Sequence, residues 1–274
     1  MAFGHRTPLT ILPGLTLGVL ALLGAALVVP VPPTEPELKP VGCIGACAHP
    51  TNAGKVFRWG REAWRQEFEV GPFGKNWKSN HPRLIGQQFG MLTLKTTRST
   101  RKLTVWPDDQ AARYGRWEAR VRAVEKDKTG GRYRFTWELA PTSTERCGDG
   151  GIVMARYTPD DAKVKGSVHG IGHHYRYDLK RDLRPSAWHT YAVEVTPDHI
   201  SWFVDTRVIH TERRPKALTG YKLHPRFVLK GKKDTTMRTS WMQMDWVRYY
   251  TLDRPNAKSI KAPRMAKRGH DHSC

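Results

Sequence analysis

Short runs in which apolar and polar residues alternate recur between residues 90 and 250. They are rich in Val, Ile, Thr and aromatic residues, turn residues separate them, and they read GMLTLKTT, RWEARVRAV, RYRFTWEL, GIVMARYT, HTYAVEVT, HISWFVDT, RFVLKG and MQMDWVRYY. A period of two places successive side chains on opposite faces of a β-strand. No stretch of ten or more residues in this region has helical periodicity, so the pattern predicts an all-β sandwich.

The first segment of the chain, residues 1–31, has the pattern of an export signal. Arg6 precedes an uncharged run whose apolar centre reads LTLGVLALLGAALVV, as in the hydrophobic region of a signal peptide. The run is about as long as the roughly 20 residues that span a bilayer, so an uncleaved signal anchor is the alternative. We therefore expect a protein that is secreted, or anchored to the outer face of the cell membrane through residues 10–31.

Three further segments follow from composition. Residues 32–54 are rich in Pro, Gly and Ala, which predicts an extended linker. The β-rich region predicts one folded domain over residues 55–252. Residues 253–274 are basic and lack a large apolar run, which predicts a disordered tail.

The chain is strongly basic, with 46 Lys and Arg against 25 Asp and Glu and a formal net charge of +21. Such a charge favours polyanionic partners, including nucleic acid, anionic glycans and anionic lipid. The basic residues are dispersed, and no recognition-helix or zinc-finger pattern accompanies them. Specific nucleic-acid binding is therefore not expected.

Four cysteines are candidates for disulfides, because an exported protein meets an oxidising environment. They are Cys43, Cys47, Cys147 and Cys274, and all three possible connectivities stay open. The densest histidine group contains His169, His173 and His174, but no Asp or Cys lies at a ligand spacing from it. Neither a metal nor another cofactor is expected.

Four segments resemble glycoside hydrolase family 16 in the order in which that family has them. They are residues 64–68 (WRQEF), 114–120 (YGRWEAR), 188–198 (WHTYAVEVTPD) and 244–250 (MDWVRYY). The resemblance extends over roughly residues 57–251. It implies a concanavalin A-like β-jelly-roll sandwich of two antiparallel sheets, in a family that hydrolyses O-glycosyl bonds of β-glucans and galactans.

The same resemblance implies that the catalytic carboxylates are absent. The family carries them on one strand with the pattern Glu-x-Asp-x-x-Glu, and retaining glycosidases need two carboxylates about 5 Å apart. The matching positions in this chain are Gly150 for the nucleophile, Ile152 for the assisting aspartate and Ala155 for the acid/base. Glu145 and Asp149 are weak substitutes, because the segment around them has the composition of a turn.

Four residues are candidates for carbohydrate binding. Trp106 and Trp137 offer aromatic faces that suit the C–H surface of a sugar ring. Arg156 and His169 belong to the strands that line the cleft in the family. With Trp137 in the cleft, alternation would turn Glu138 to the other face of its strand, which argues against a catalytic role for Glu138.

The leading hypothesis is an exported family 16-like domain that is catalytically degenerate and binds a polysaccharide, with the basic charge favouring an acidic one. One alternative is an active glycoside hydrolase that cleaves a β-glucan or galactan with a rearranged site. Another is a structural cell-envelope protein whose basic surface adheres to anionic polymers. The face that carries the degenerate motif distinguishes these functions, because an open cleft is required for the first two.

Overall fold

The alternating runs of the sequence form β-strands that assemble into two sheets. The computed structural model describes residues 52–69, 76–143, 150–159, 163–170, 173–180, 187–218, 220–256 and 261–268, all within the second of the two units of the chain, Gly45–Cys274. In chain order the elements are α1 (Ala53–Val56), β1 (Trp64–Gln66), β2 (Trp77–Ser79), β3 (Ile85–Gln88), β4 (Met91–Lys95), β5 (Lys102–Pro107), β6 (Gly115–Glu125), β7 (Arg134–Pro141), β8 (Ile152–Tyr157), β9 (Lys163–Gly170), β10 (His173–Lys180), β11 (His189–Val195), β12 (Ile200–Val204), β13 (Arg207–Glu212), β14 (Leu223–Lys230), β15 (Ser240–Tyr250) and β16 (Ala266–Arg268). Two short 3-10 helices cover Pro82–Leu84 and Pro215–Ala217.

The strands form two antiparallel sheets. Sheet I has the order β13-β12-β11-β6-β15-β4-β3, and β1 also pairs with β15. Sheet II has the order β16-β10-β9-β8-β7-β14-β5-β2. The prediction of an all-β sandwich of two antiparallel sheets is confirmed.

The inner faces of the two sheets make the main core, in which large aromatic side chains predominate. Trp117 and Trp202 of sheet I and Trp137 of sheet II are each at most 1% exposed. Two indole N–H groups reach the opposite sheet: Trp137 donates to the carbonyl of Tyr191 at 3.4 Å, and Trp202 donates to the carbonyl of Val153 at 3.0 Å. Burying one large apolar side chain contributes about 1.5–3 kcal/mol, so this layer fixes which residues of each strand face inward.

The burial pattern along β7 identifies the two faces of sheet II. The buried side chains that pack in the core are Phe135, Trp137 and Leu139. The alternate residues Arg134, Thr136, Glu138 and Ala140 therefore lie on the face turned away from sheet I. We call this second face the outer face, and the antiparallel pairings carry the assignment across all strands of sheet II.

Strand β8 contains a β-bulge that decides which of its side chains face outward. Trp137 lies opposite Ala155, whereas the next residue of β7, Glu138, lies opposite Val153. Met154 is therefore the extra residue of β8, and the pairing of β8 with β9 shifts in the same region. Directly opposite residues share a face, so Ala155 faces the core with Trp137, and Val153 faces outward with Glu138.

The N-terminal end of the described chain packs on the outer side of sheet I. A second, smaller core contains Trp59, Phe203 and Tyr250, with the Trp59 ring edge-to-face against Phe203 at 5.3 Å and Tyr250 at 5.4 Å. Ala53 of α1 is fully buried in this core. The prediction that the linker extends to residue 54 is therefore wrong at its end, because these apolar contacts fix α1 on the sheet.

The carboxylate of Glu118 in β6 connects α1 to sheet I. It accepts hydrogen bonds from the backbone N–H groups of Ala53 and Gly54, and the Tyr250 hydroxyl donates to it at 3.5 Å. Glu118 is 0% exposed. Burial raises its pKa to about 7, although the N–H donors favour the charged form and oppose this rise.

The C-terminal segment adds an edge strand to sheet II. Residues Ala266–Arg268 form β16 beside β10, and Met265 is 3% exposed within the main core. The Arg214 guanidinium donates to the Met265 carbonyl at 2.5 Å. The prediction of disorder for the whole of residues 253–274 is therefore wrong, because one buried methionine and one strand pairing are sufficient to order this stretch.

No helix among the described residues is long and apolar enough to cross a membrane. The segment predicted as a signal peptide or anchor, residues 1–31, lies outside the described residues. Its role therefore stays a prediction from the sequence.

Replacing Glu118 with Gln should change how stability depends on pH. The folded-state pKa of about 7 lies above the ordinary value of 4.5, so the folded protein holds the proton more tightly than the unfolded chain. The contribution of Glu118 to the free energy of unfolding should be fully present below pH 4.5. It should fall by about 3 kcal/mol as the pH rises to 7. Chemical denaturation at several pH values measures the free energy of unfolding, and in Glu118→Gln this free energy should no longer fall between pH 4.5 and 7.

The exposed Glu69 provides the control for that measurement. Its replacement by Gln should leave the pH profile of the unfolding free energy as in the unchanged protein. An undiminished loss between pH 4.5 and 7 in Glu118→Gln would show that Glu118 does not carry the effect.

The facing of β8 predicts that two neighbouring substitutions destabilise the protein to different extents. Ile152→Asp places a carboxylate in the core and should cost about 4 kcal/mol or prevent folding. Val153→Asp places it on the outer face, within reach of basic side chains, and should cost about 1–2 kcal/mol. Thermal or urea unfolding measures both. The reverse order of stabilities would show that β8 turns Ile152 outward.

Candidate functional site

The outer face of sheet II is strongly basic. Its Lys and Arg side chains, identified from alternation and strand register, are Lys78, Lys102, Arg134, Arg156, Lys163, Lys165, Arg176, Lys180, Arg226 and Lys230. The carboxylates that the described strands place on this face are Glu138 and Asp178. Like charges on one face of a sheet repel one another, and the resulting positive potential attracts anions.

The structure corrects the assignment of the degenerate catalytic positions. Ile152 and Ala155 are 2% and 1% exposed and face the core, so neither lies on the face where the family presents its acids. Gly150 has φ of +80°, and a Cβ built on it would lie 1.8 Å from the ring of Tyr221. A side chain at that position would be strained and would collide with Tyr221.

The residues that β8 presents outward are one position later in the chain. Val153 and Arg156 face outward, and the backbone of Gly151 precedes them at the same spacing. Gly151, Val153 and Arg156 therefore occupy the pattern Glu-x-Asp-x-x-Glu with a glycine, a valine and an arginine. None of these three residues carries a carboxylate, and the last carries a positive charge.

Arg156 lies near the middle of the basic outer face. It is half-buried, opposite Thr136 of β7 on one side and Lys165 of β9 on the other. Burial lowers the pKa of its guanidinium, while the Glu138 carboxylate opposes this shift and the Arg134 cation adds to it. An arginine keeps its charge at neutral pH despite such a shift, so Arg156 is a partly desolvated cation.

Glu138 lies on the outer face but is already paired. The Arg226 guanidinium donates to its carboxylate from Nε at 2.8 Å and from Nη2 at 2.7 Å. His224 lies on the same strand as Arg226, and burial together with the Arg226 charge lowers the pKa of its imidazole. The neutral imidazole and the Arg226 to Glu138 ion pair form a polar rim beside Val153.

The two candidate tryptophans lie on opposite faces. Trp137 is 1% exposed and stacks on Phe227 at 4.3 Å, so the prediction that it binds sugar is wrong. Its long apolar ring fills the core, and alternation then places Glu138 outward. Trp106 is half-buried on the outer face and lines a groove of about 550 Å³ with Asn80, among other residues.

That groove combines one aromatic ring with hydrogen-bonding side chains. Its walls contain Asn80, Lys102, Thr104, Trp106, Ala140, Pro141, Thr142, Ser143, His224 and Arg226. Small-molecule sites in proteins commonly have volumes of about 300–1,000 Å³ and a few convergent polar groups. The size and lining therefore suit one or two sugar rings.

His169 lies on the outer face at the far end of the sheet from Trp106. Its ring stacks on that of His174 across β9 and β10, with 4.2 Å between centroids. Among the described residues no group of three His, Cys, Asp or Glu side chains is arranged to hold a metal ion. His169 stays a candidate contact for a long ligand that extends across several strands.

Several predicted residues lie outside the described parts of the chain. These are the substitute acids Glu145 and Asp149 and the disulfide candidates Cys43, Cys47, Cys147 and Cys274. Their roles stay predictions from the sequence.

Sequence reasoning missed Arg226, His224 and Lys165 as residues of this face. The alternation in HPRFVLK and KVKGSVHG is visible in the sequence, but it does not tell which of the two sets faces the core when both contain apolar residues. The pairing of these strands with β7 and β8 supplies that information.

Solved structures with a similar fold include two laminarinases. The one from Rhodothermus marinus has a TM-score of 0.58 and 16% identity, covering 70% of this chain and 97% of that chain. The one from Flavobacterium sp. UMI-01 has a TM-score of 0.57 and 17% identity, covering 70% of this chain and 100% of that chain. A glycosyl hydrolase family protein from Mycobacterium fortuitum has a TM-score of 0.54 and 14% identity, covering 70% of this chain and 100% of that chain.

Identities this low establish the jelly-roll fold and leave the site to be argued from its own residues. A comparison with curated proteins gives no match. The sequence model of glycosyl hydrolases family 16 matches residues 73–248, which is more than half of the 274 residues and includes both sheets' central strands. The chain therefore belongs to glycosyl hydrolase family 16.

Proposed function

We propose that this protein is an exported, catalytically degenerate member of family 16 that binds a polysaccharide on the outer face of sheet II. The observation that carries the proposal is the outward set on β8, Gly151, Val153 and Arg156, which has no carboxylate where the family has its acids. Export rests on the composition of residues 1–31, which is typical of a signal peptide or anchor.

The chemistry of glycoside hydrolysis argues against activity on this face. A retaining enzyme needs a nucleophile and an acid about 5 Å apart, and an inverting enzyme needs two carboxyl groups about 6.5–9.5 Å apart. Glu138 on β7 and Asp178 on β10 are separated by three strand spacings of about 4.8 Å each, or about 14 Å. Neither geometry fits that separation.

Arg156 opposes the reaction further. The transition state of glycoside hydrolysis resembles an oxocarbenium ion, which is positively charged. A partly buried guanidinium in the centre of the face would repel that charge, because electrostatic interactions strengthen where water is excluded. The same cation does not oppose binding of an intact polysaccharide.

The groove beside Trp106 supports binding. A half-buried indole offers an apolar face for a sugar ring, while Asn80, His224 and Arg226 offer hydrogen-bonding groups around it. The basic face that continues from this groove towards β10 would accommodate a chain of several sugars. The laminarinase structures make a β-1,3-glucan the first neutral polysaccharide to test, alongside galactan and acidic glycans.

An active enzyme with a rearranged site is the second candidate. Glu138 favours it, because this carboxylate lies on the outer face next to the degenerate positions. Its Oε1 is already bonded to the Arg226 guanidinium. A partner acid would have to come from Glu145 or Asp149.

The purified protein should retain polysaccharide without releasing reducing sugars. A panel of laminarin, galactan and polygalacturonate tests both properties by affinity electrophoresis and by a reducing-sugar assay. Trp106→Ala should weaken retention about tenfold, since the ring contributes about 1–1.5 kcal/mol by stacking. Trp241→Ala is the matched control, because Trp241 is equally half-buried but lies on sheet I.

Two results would contradict the proposal. Sugar release that Glu138→Gln, Glu145→Gln or Asp149→Asn abolishes would establish a rearranged active site. Absence of both retention and release on the whole panel would favour a structural cell-envelope protein.

A further inference from the structure

We propose that Arg156 forms the centre of an anion subsite, which binds a carboxylate or sulfate group carried by an acidic polysaccharide. The inference rests on the proposed binding function and adds the chemical class of the ligand and the residue that selects it. It depends on the β8 bulge, because only the bulged register turns Arg156 outward.

The surroundings of Arg156 form a row of polar side chains across the sheet. In register, the row runs from Thr136 on β7 through Arg156 on β8 to Lys165 on β9, with Val228 of β14 and Asp178 of β10 at its two ends. The Thr136 hydroxyl can donate to an oxyanion, and the two cations lie on neighbouring strands about 5 Å apart. An anion placed over Arg156 would therefore meet positive charge and a hydroxyl donor together.

Arg156 has a donor that no described residue uses. Its Nε is buried and has no hydrogen-bond partner, and the described residues form no ion pair with its guanidinium. The carboxylate that could have paired with it, Glu138, is bonded by both Nε and Nη2 of Arg226. A buried polar atom without a partner is uncommon in proteins and costs free energy, which an incoming acceptor would recover.

A second unpartnered atom lies close to this donor. The hydroxyl oxygen of Ser167 is buried without a hydrogen-bond partner, on the strand next to β8 and opposite Val153. Two buried polar atoms without partners on neighbouring strands of one basic face suit a polar, anionic ligand.

The chemistry of guanidinium favours a planar or tetrahedral oxyanion. Arginine presents a rigid fork of N–H donors that can bind two oxygens of a carboxylate or sulfate at once. The surrounding lysines and arginines contribute long-range attraction without such geometry. Arg156 should therefore discriminate between ligands, while the other basic residues should raise affinity for any polyanion.

The place of Arg156 in the catalytic pattern links the anion subsite to this fold. Arg156 occupies the last position of the catalytic pattern, where members of the family with the motif carry a glutamate. The charge at the centre of the face is thus reversed, from one that suits a neutral glucan and its cationic transition state to one that suits an anionic sugar.

The test compares ligand pairs that differ only in their anionic groups. Dextran sulfate against dextran probes sulfate, and an oligogalacturonide against its methyl-esterified form probes carboxylate. Binding is measured by isothermal titration calorimetry at about 0.15 M salt, where long-range attraction is largely screened beyond about 8 Å. The unchanged protein should bind at least one anionic ligand at least tenfold more tightly than its neutral counterpart, and the stronger pair identifies the group.

Substitutions then assign the discrimination to Arg156. Arg156→Gln should weaken binding of the anionic ligand about tenfold and leave the neutral one unchanged. Arg156→Lys should have an intermediate effect, because it keeps the charge and loses the fork. Arg65→Gln is the matched control, since it removes the same charge from an exposed site on sheet I and should change binding less than twofold.

Equal losses in Arg156→Gln and Arg65→Gln would overturn the inference, because they would assign binding to overall charge. Equal affinity of the unchanged protein for the charged and neutral ligands would also overturn it. Laminarin retention distinguishes these failures from failure of the proposed function: a protein that retains neutral polysaccharide without anion discrimination keeps the function and loses the subsite. Unchanged unfolding temperatures of the Arg156 variants exclude misfolding as the cause of a loss.

Discussion

The packing of the two inner faces against each other is the constraint on which the rest of the structure depends. Trp137 and Trp202 each donate a hydrogen bond to a carbonyl of the opposite sheet, so neither ring can turn outward without losing both apolar burial and a polar partner. Once Trp137 is fixed in the core, alternation leaves its neighbours Thr136 and Glu138 on the outer face. The chemistry of the outer face is therefore set by what the core requires.

The bulge at Met154 transmits this constraint to β8. Without an extra residue, the outward side chains of β8 would follow strict alternation, and Val153 and Ala155 would share a face. With the bulge, Val153 and Arg156 share the outer face, which brings a cation to its centre. The fold is thus shared with the laminarinases, while the centre of the outer face of sheet II carries an arginine, and the function has to be argued from that face.

The two ends of the described chain show how few contacts order a segment. Glu118 accepts the N–H groups that begin α1, and the aromatic cluster around Trp59 covers the same region of sheet I. At the other end, Met265 enters the core and β16 covers the edge of β10. Covering an edge strand also removes unpaired backbone groups that would otherwise favour association between molecules.

The sequence by itself determined the β-sandwich class and the family, because period-two alternation and the motifs around residues 114–120 and 188–198 are local features. Only the tertiary structure decided which alternating set faces the core. In the structure Trp137 faces the core and Glu138 faces outward, and the outward residues of β8 lie one position later than the sequence predicts. Ala53 and Met265 are buried, although they belong to segments whose composition predicts no fold. The physical reason is that a strand's two faces are equivalent until another sheet covers one of them, and that bulges and single buried residues depend on partners far away in the chain.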